Sequence, residues 1–163
     1  MNKSVIIADS SPLIALALIG QLELLPYLYH RVLIPPAVWD EVTKQGAGLP
    51  GAQAVSQCSW LEIQLPESAK LEVLRILVDQ GEAEALALAQ MQPDSIVLLD
   101  DAQARRVAER FNIPRIGTLG ILRRAKKAGR LSEIKPYILA LRQNGIYIRQ
   151  ALIEAVLHDV EEA

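Results

Sequence analysis

Short apolar runs alternate along the chain with longer stretches whose apolar residues recur at helical spacing, which predicts a parallel sheet with helices packed on its faces. Val5-Ile6-Ile7-Ala8 is continuously apolar and β-branched at three of four positions, as a central strand buried on both faces requires. It stops at Asp9. Ser10-Ser11-Pro12 then sets a capping hydroxyl before a proline at the first helical position, and a helix to residue 19 is expected. A helix over 22–29, a strand over 31–34 closed by Pro35-Pro36, and a helix from Pro36 to about Lys44 follow. Three glycines and a proline within 45–51 mark a loop. Beyond it the pattern predicts an edge strand over 60–65, helices over 68–78 and 81–91, and a buried strand over 96–99. A helix over 102–111, a strand over 114–117 and helices over 118–128 and 131–144 come next. An edge strand over 145–148 and an amphipathic helix through residue 157 complete the chain. We expect one α/β domain over 1–163.

Composition agrees with this picture. In 163 residues, 51% hydrophobic and 22% charged, there is enough apolar material for a sizeable core. The longest apolar run, over 13–19, is far shorter than the roughly 20 residues of a spanning helix, and the apolar run after Lys3 is too short for a secretory signal. A single cysteine, Cys58, excludes an intrachain disulfide and a cysteine-based metal cluster. A cytoplasmic protein is the expectation.

Charge changes the picture only through its distribution. The net charge is −2, yet between Arg105 and Lys135 ten Lys or Arg stand against Glu109 and Glu133, a local +8. Such asymmetry marks either a surface for an anion or two solvated helix faces.

In an open α/β sheet the working site lies outside the carboxyl ends of the strands, and here the residues that finish strands are acidic. Asp9 follows the first strand and Asp100-Asp101 a later one. Each alone reads equally as a helix cap. Together they call for a cation, because neighbouring carboxylates raise each other's pKa unless one lies between them. Glu41, Glu82 and Glu84 fit the same site, and an all-oxygen donor set with His30 and His158 far away in sequence points to Mg²⁺ or Mn²⁺ rather than zinc. A dinucleotide fingerprint, a Walker loop and a nucleophile elbow are absent. The acidic order is also the reverse of a phosphoacceptor receiver, and Asp9-Ser10-Ser11 lacks the second acid of an Asp-x-Asp phosphatase loop.

These motifs resemble the PIN-domain nucleases, which include the VapC-type toxins of bacterial toxin–antitoxin pairs. Asp9-Ser10-Ser11-Pro12-Leu13 is similar to that family's opening motif, and Pro35-Pro36-Ala37-Val38-Trp39-Asp40-Glu41-Val42 to its second. Gly81-Glu82-Ala83-Glu84, Leu98-Leu99-Asp100-Asp101 and Arg105-Arg106-Val107-Ala108 resemble a less characterised branch of PIN-like proteins. The resemblance implies a three-layer α/β/α sandwich, mostly parallel, that cleaves RNA with Mg²⁺ or Mn²⁺. Asp9, Glu41, Glu84 and Asp101 are then the catalytic acids, and Asp9, Glu84, Asp100 and Asp101 the metal site. Glu84 stands where VapC-type toxins usually have Asp, with Glu82 as its rival, and either Asp100 or Asp101 faces the metal. Ser10 would hydrogen-bond a ligand carboxylate or a metal water and Thr118 a phosphate, with helix capping the competing role for both. The basic segment over 105–130, Arg123 and Arg124 included, would hold the RNA backbone.

Three readings result: a metal-dependent endoribonuclease, the toxin of a toxin–antitoxin pair being one form of it; a non-catalytic PIN-like module that binds RNA or a protein; and, more weakly, a small-substrate phosphatase. Expected partners are RNA, a small antitoxin protein and a second copy of the chain, since the apolar helices near 13–28 and 138–157 could form a dimer interface as well as a core.

Overall fold

Five strands in the computed structural model, which describes residues 3–163, form one all-parallel sheet: β1 (Val5–Ala8), β2 (Arg31–Ile34), β3 (Leu61–Ile63), β4 (Ser95–Leu98) and β5 (Arg115–Ile116). Their order is β3-β2-β1-β4-β5, with Ile6 opposite both Val32 and Ile96. The pleat sorts the core into two layers. Val5 and Ile7 join Leu33, Val97 and Leu99 on one face. There they meet α5 (Ser68–Leu77), α6 (Gln80–Met91) and α7 (Ala102–Arg110) through Leu74, Leu86 and Val107. Ile6 and Ala8 point the other way with Ile34 and Leu98. That face is covered by α1 (Ser10–Leu18), α2 (Leu24–Leu28), α8 (Thr118–Lys127), α9 (Lys135–Gln143) and α10 (Gln150–Asp159). The result is the three-layer sandwich expected, with every strand parallel.

The remaining helices sit between β2 and β3. α3 (Pro36–Trp39) begins at a proline already set for helical φ and runs on as a π-helical turn over Asp40–Gln45, and α4 (Ala52–Ser56) forms directly after the glycine-rich stretch, with Gly51 at its N-cap. The π turn closes with the Gly46 N–H on the Glu41 carbonyl at 2.9 Å.

Several expectations need correction. Asp9 holds the N-cap position of the first helix, with no side-chain capping hydrogen bond among the described residues, so Ser10 is already helical and Pro12 is its third residue. The helix expected over 22–29 covers only Leu24–Leu28, and the one expected over 131–144 only Lys135–Gln143. Residues 145–148 are not a strand. Gly145 turns the chain at φ +81°, and Ile146 and Ile148 pack against the core instead of pairing with a sheet edge. On the helices considered for a dimer, Leu13, Leu24, Ile138 and Leu157 are buried in the chain's own core, while Tyr27, Leu139 and Leu152 are exposed. Among the described residues no helix is long and apolar enough to cross a membrane.

Candidate active site

From β1 the chain moves outward to β2 and β3, and from β4 outward the other way to β5, so β1 and β4 flank the point where the strand order reverses. Their carboxyl ends frame the crevice in which α/β sheets of this kind bind ligands. Asp9 stands at that point, 5% exposed, its N–H donating to the Leu98 carbonyl at 3.1 Å. Burial pushes its carboxyl up to about 7. The Ser10 backbone N–H beside it pulls the other way, and the charges of Asp79, Glu41 and Asp101 add to the rise. Glu82, 8% exposed, is pushed up to about 8, first by burial and then by Asp79, Asp9 and Asp101.

Local structure explains how these acids meet. Asp79 and Glu82 form a reciprocal cap at the start of α6: the Glu82 N–H donates to Asp79 Oδ1 at 2.8 Å and the Asp79 N–H to Glu82 Oε1 at 3.4 Å. Gly81, between them, lets α3 approach closely. A Cβ there would crowd Val38 Cγ2 at 3.3 Å and meet Glu41 Oε1 at an ordinary 3.4 Å, so the glycine eases the approach of Val38 while Glu41 lies against the start of α6.

Glu84 lies two residues beyond Glu82, about 200° further round the helix at 3.6 residues per turn, and cannot face the same way. Its Oε1 accepts the Ala37 N–H at 2.9 Å and its Oε2 the Gln80 side-chain amide at 2.7 Å. It thereby anchors the first turn of α3, the helix that carries Glu41 onward.

The pair after β4 divides in the same manner. Asp101 caps α7 through the Ala104 N–H at 2.9 Å and acts electrostatically on both Asp9 and Glu82. Asp100 turns to α8, accepting the Thr118 N–H at 2.9 Å and the Thr118 hydroxyl at 2.6 Å. A Cβ at Gly117 would lie 2.7 Å from Asp100 Oδ1 and 3.1 Å from Arg105 Nη1, so that clasp requires glycine.

The structure thus brings Asp9, Glu41 and Asp101 into one electrostatic group with Glu82 and with Asp79, which the sequence reading passed over. The signal for Asp79 was present as an Asp-x-x-Glu capping pattern ahead of α6. Glu84, Asp100 and Thr118 are committed to helix starts. Ser10, 4% exposed, has a buried hydroxyl with no hydrogen-bond partner among the described residues. Arg123 and Arg124 lie away from the acids: Arg123 pairs with Asp159, while Arg124 donates to the Tyr29 hydroxyl and lies over its ring at 4.9 Å.

Among the described residues no three Asp, Glu, His or Cys side chains are grouped as a ready-made metal cage. The donors nonetheless fit a hard cation chemically, being carboxylates with no nitrogen or sulfur among them, and the buried Ser10 hydroxyl follows Asp9 in the chain. Compared with known proteins, residues 5–162 match a family model described as a PIN domain. No curated protein matches the chain.

Proposed function

The chain belongs to the PIN-domain family, and from that premise we propose that it is a Mg²⁺- or Mn²⁺-dependent endoribonuclease working at the β1–β4 crevice. The observation that carries the reading is the buried Asp9 carboxyl, raised to about 7 amid other acids. A group so placed is costly as a bare anion and is relieved by a cation.

Asp9, Glu82 and Asp101 would hold the ion, with Glu41 and Asp79 supplying further negative charge. Such an ion, when bound, activates water and neutralises charge on the phosphodiester. The chain's own residues prepare that site. The Asp79–Glu82 cap fixes Glu82, the spare Ser10 hydroxyl is available to orient the Asp9 carboxylate, and Thr118 keeps Asp100 from adding to the repulsion. Glu84 sets the α3 turn from which Glu41 projects.

The test is cleavage of a mixed RNA pool by protein freed of host ribonuclease, with Mn²⁺, with EDTA, and with Asp9→Asn. Cleavage that needs Mn²⁺ and disappears in Asp9→Asn is the expected result; equal cutting by both proteins would assign the activity to contamination. RNA binding without cleavage in any metal would select the second reading, a non-catalytic module, which the commitment of Glu84 and Asp100 to helix starts favours. The toxin role is a narrower form of the first reading and requires Asp9-dependent growth arrest on induction, relieved by a small partner protein.

A further inference from the structure

Beside the acidic crevice lies a second concavity of about 870 Å³, within the roughly 300–1,000 Å³ of small-molecule sites, for which the cleavage chemistry has no use. It opens where the first turns of α1, α7 and α8 face the connection between α9 and α10. Its walls are mainly aliphatic, with Leu119, Leu141, Ile146, Ile148 and Leu152 among them. The one ring in the lining among the described residues, Tyr147, is 84% exposed, so the interior has no aromatic platform.

The charged groups of the lining are unequally engaged. Asp100, the one acid there among the described residues, accepts from the Thr118 N–H and hydroxyl, and Arg105 donates from Nη1 to the Leu99 carbonyl at 2.9 Å. Arg115 is held only loosely, by the exposed Glu109 at 3.7 Å. Arg149, exposed just before α10, has no acid within ion-pair distance among the described residues. An occupant that answers this lining brings a negative charge and a body without polar groups of its own. Base edges or peptide groups laid on aliphatic walls would lose water and gain no partner. An inorganic anion would leave the walls unused. A free aliphatic carboxylate satisfies both halves, since the guanidinium fork matches a carboxylate and the chain needs only apolar contact.

We infer that this cavity is a binding site for a free aliphatic carboxylate of medium chain length, its chain on the aliphatic walls and its head held by Arg149, with Arg115 the second cation of the same lining. The site is separate from the acidic crevice, because none of Asp9, Glu41, Asp79, Glu82 or Asp101 lines it. The ligand is therefore additional to any metal or RNA. The inference goes beyond the cleavage reading and does not rest on it.

The experiment is isothermal titration calorimetry of the whole chain with octanoate, kept well below its micelle concentration. Acetate, which has the head alone, and octanamide, which has the chain with a neutral head, are titrated beside it. Saturable binding of one octanoate per chain is expected, with acetate and octanamide each weaker by about tenfold or more. Arg149→Ala should weaken octanoate about tenfold, as loss of a charged hydrogen bond does, and leave octanamide unchanged. Leu152→Ser, at a position 42% exposed, should weaken octanoate and octanamide alike, because it takes contact from the chain and not from the head. Circular dichroism confirms that each variant is folded. No saturable binding, equal affinity for acetate and octanoate, or equal affinity of Arg149→Ala and the unaltered protein overturns the inference. So does tighter binding of a mononucleotide than of octanoate. Flotation of the protein with vesicles of anionic phospholipid would also overturn it, by making a bilayer rather than a free acid the source of the ligand. Asp9→Asn should bind octanoate as the unaltered protein does, so the nuclease reading can fail while the site holds, or the reverse.

Discussion

At the carboxyl ends of β1 and β4 acids face acids, whereas along α8 and the last two helices acids face cations. Asp9 and Glu82 are pushed up to about 7 and about 8. Asp159 is held below its ordinary range by Arg123 and Lys127. Burial works to raise Glu162, but Lys126 at 2.8 Å and the Ile134 and Lys135 N–H groups at 2.8 and 3.0 Å outweigh it and bring that carboxyl down as well. The difference teaches how to read charge in this chain. Charge answered by a neighbour holds helices together; charge left unanswered in a buried crevice points to something that arrives from outside. Much of the local +8 considered for RNA belongs to the first kind, since Arg123, Lys126 and Lys127 pair with the chain's own carboxylates and Arg124 with Tyr29.

The sharpest way to break the comparison is to neutralise acids two residues apart. Glu82→Gln should lower metal-dependent cleavage by at least the roughly 10–100-fold that follows when a partner behind a metal ligand is changed. Glu84→Gln should leave it within a few-fold, because its carbonyl oxygen can still accept the Ala37 N–H. Cleavage rates at saturating Mn²⁺ check this, and equal losses would return Glu84 to the metal.

The two regions should also respond to pH with opposite sign. A carboxyl whose folded pKa is raised stabilises the fold below its unfolded value, and that contribution is lost as pH climbs to the folded one. For Asp9 the window runs from 3.8 to about 7, at about 1.4 kcal/mol for each unit. Thermal unfolding in EDTA should therefore weaken from pH 5 to pH 8, and Mn²⁺ should raise the melting temperature most at pH 8. For Glu162 the folded pKa is lowered, so its contribution is present above 4.5 and fades as pH falls through the folded value.

Removing Glu162 outright sharpens the other side. Glu162→Ala leaves the Ile134 and Lys135 N–H groups and the half-buried Lys126 without their shared acceptor, and should cost about 1–3 kcal/mol in a urea titration with cleavage per folded molecule unchanged. The smallest effect belongs to Arg123→Ala. Its partner Asp159 is exposed to solvent, so stability should barely move and the salt slope of RNA binding should stay the same. A fall in that slope would put the segment back on the RNA path.

The strands were the most legible part of the sequence, because runs such as Val5–Ala8 and Arg31–Ile34 have no other way to bury their side chains. Asp9 and the Asp100-Asp101 pair were legible as strand ends. The choice between Glu82 and Glu84 was not, since both are first-turn glutamates and only the position of α3 decides which side of α6 faces the acids. The same holds for Asp100 and Asp101, separated by α8 arriving with Thr118. Ile146 and Ile148 alternate as a strand would, yet their apolar side chains are taken by the helical layer rather than by a sheet edge.

Because every strand runs the same way, the candidate site occupies one rim of the sheet and leaves the other to an engineer as an attachment site. Its turns include Asp94 and Asn112, at φ +59° and +55°, before β4 and β5. The Asp94 turn is fastened to Ser4 through backbone and side chain, whereas among the described residues the stretch from Asn112 to Pro114 bears no such clasp to the start of β1. A fluorophore or surface tether introduced near Asn112 would sit at the opposite end of the strands from Asp9, clear of the proposed site.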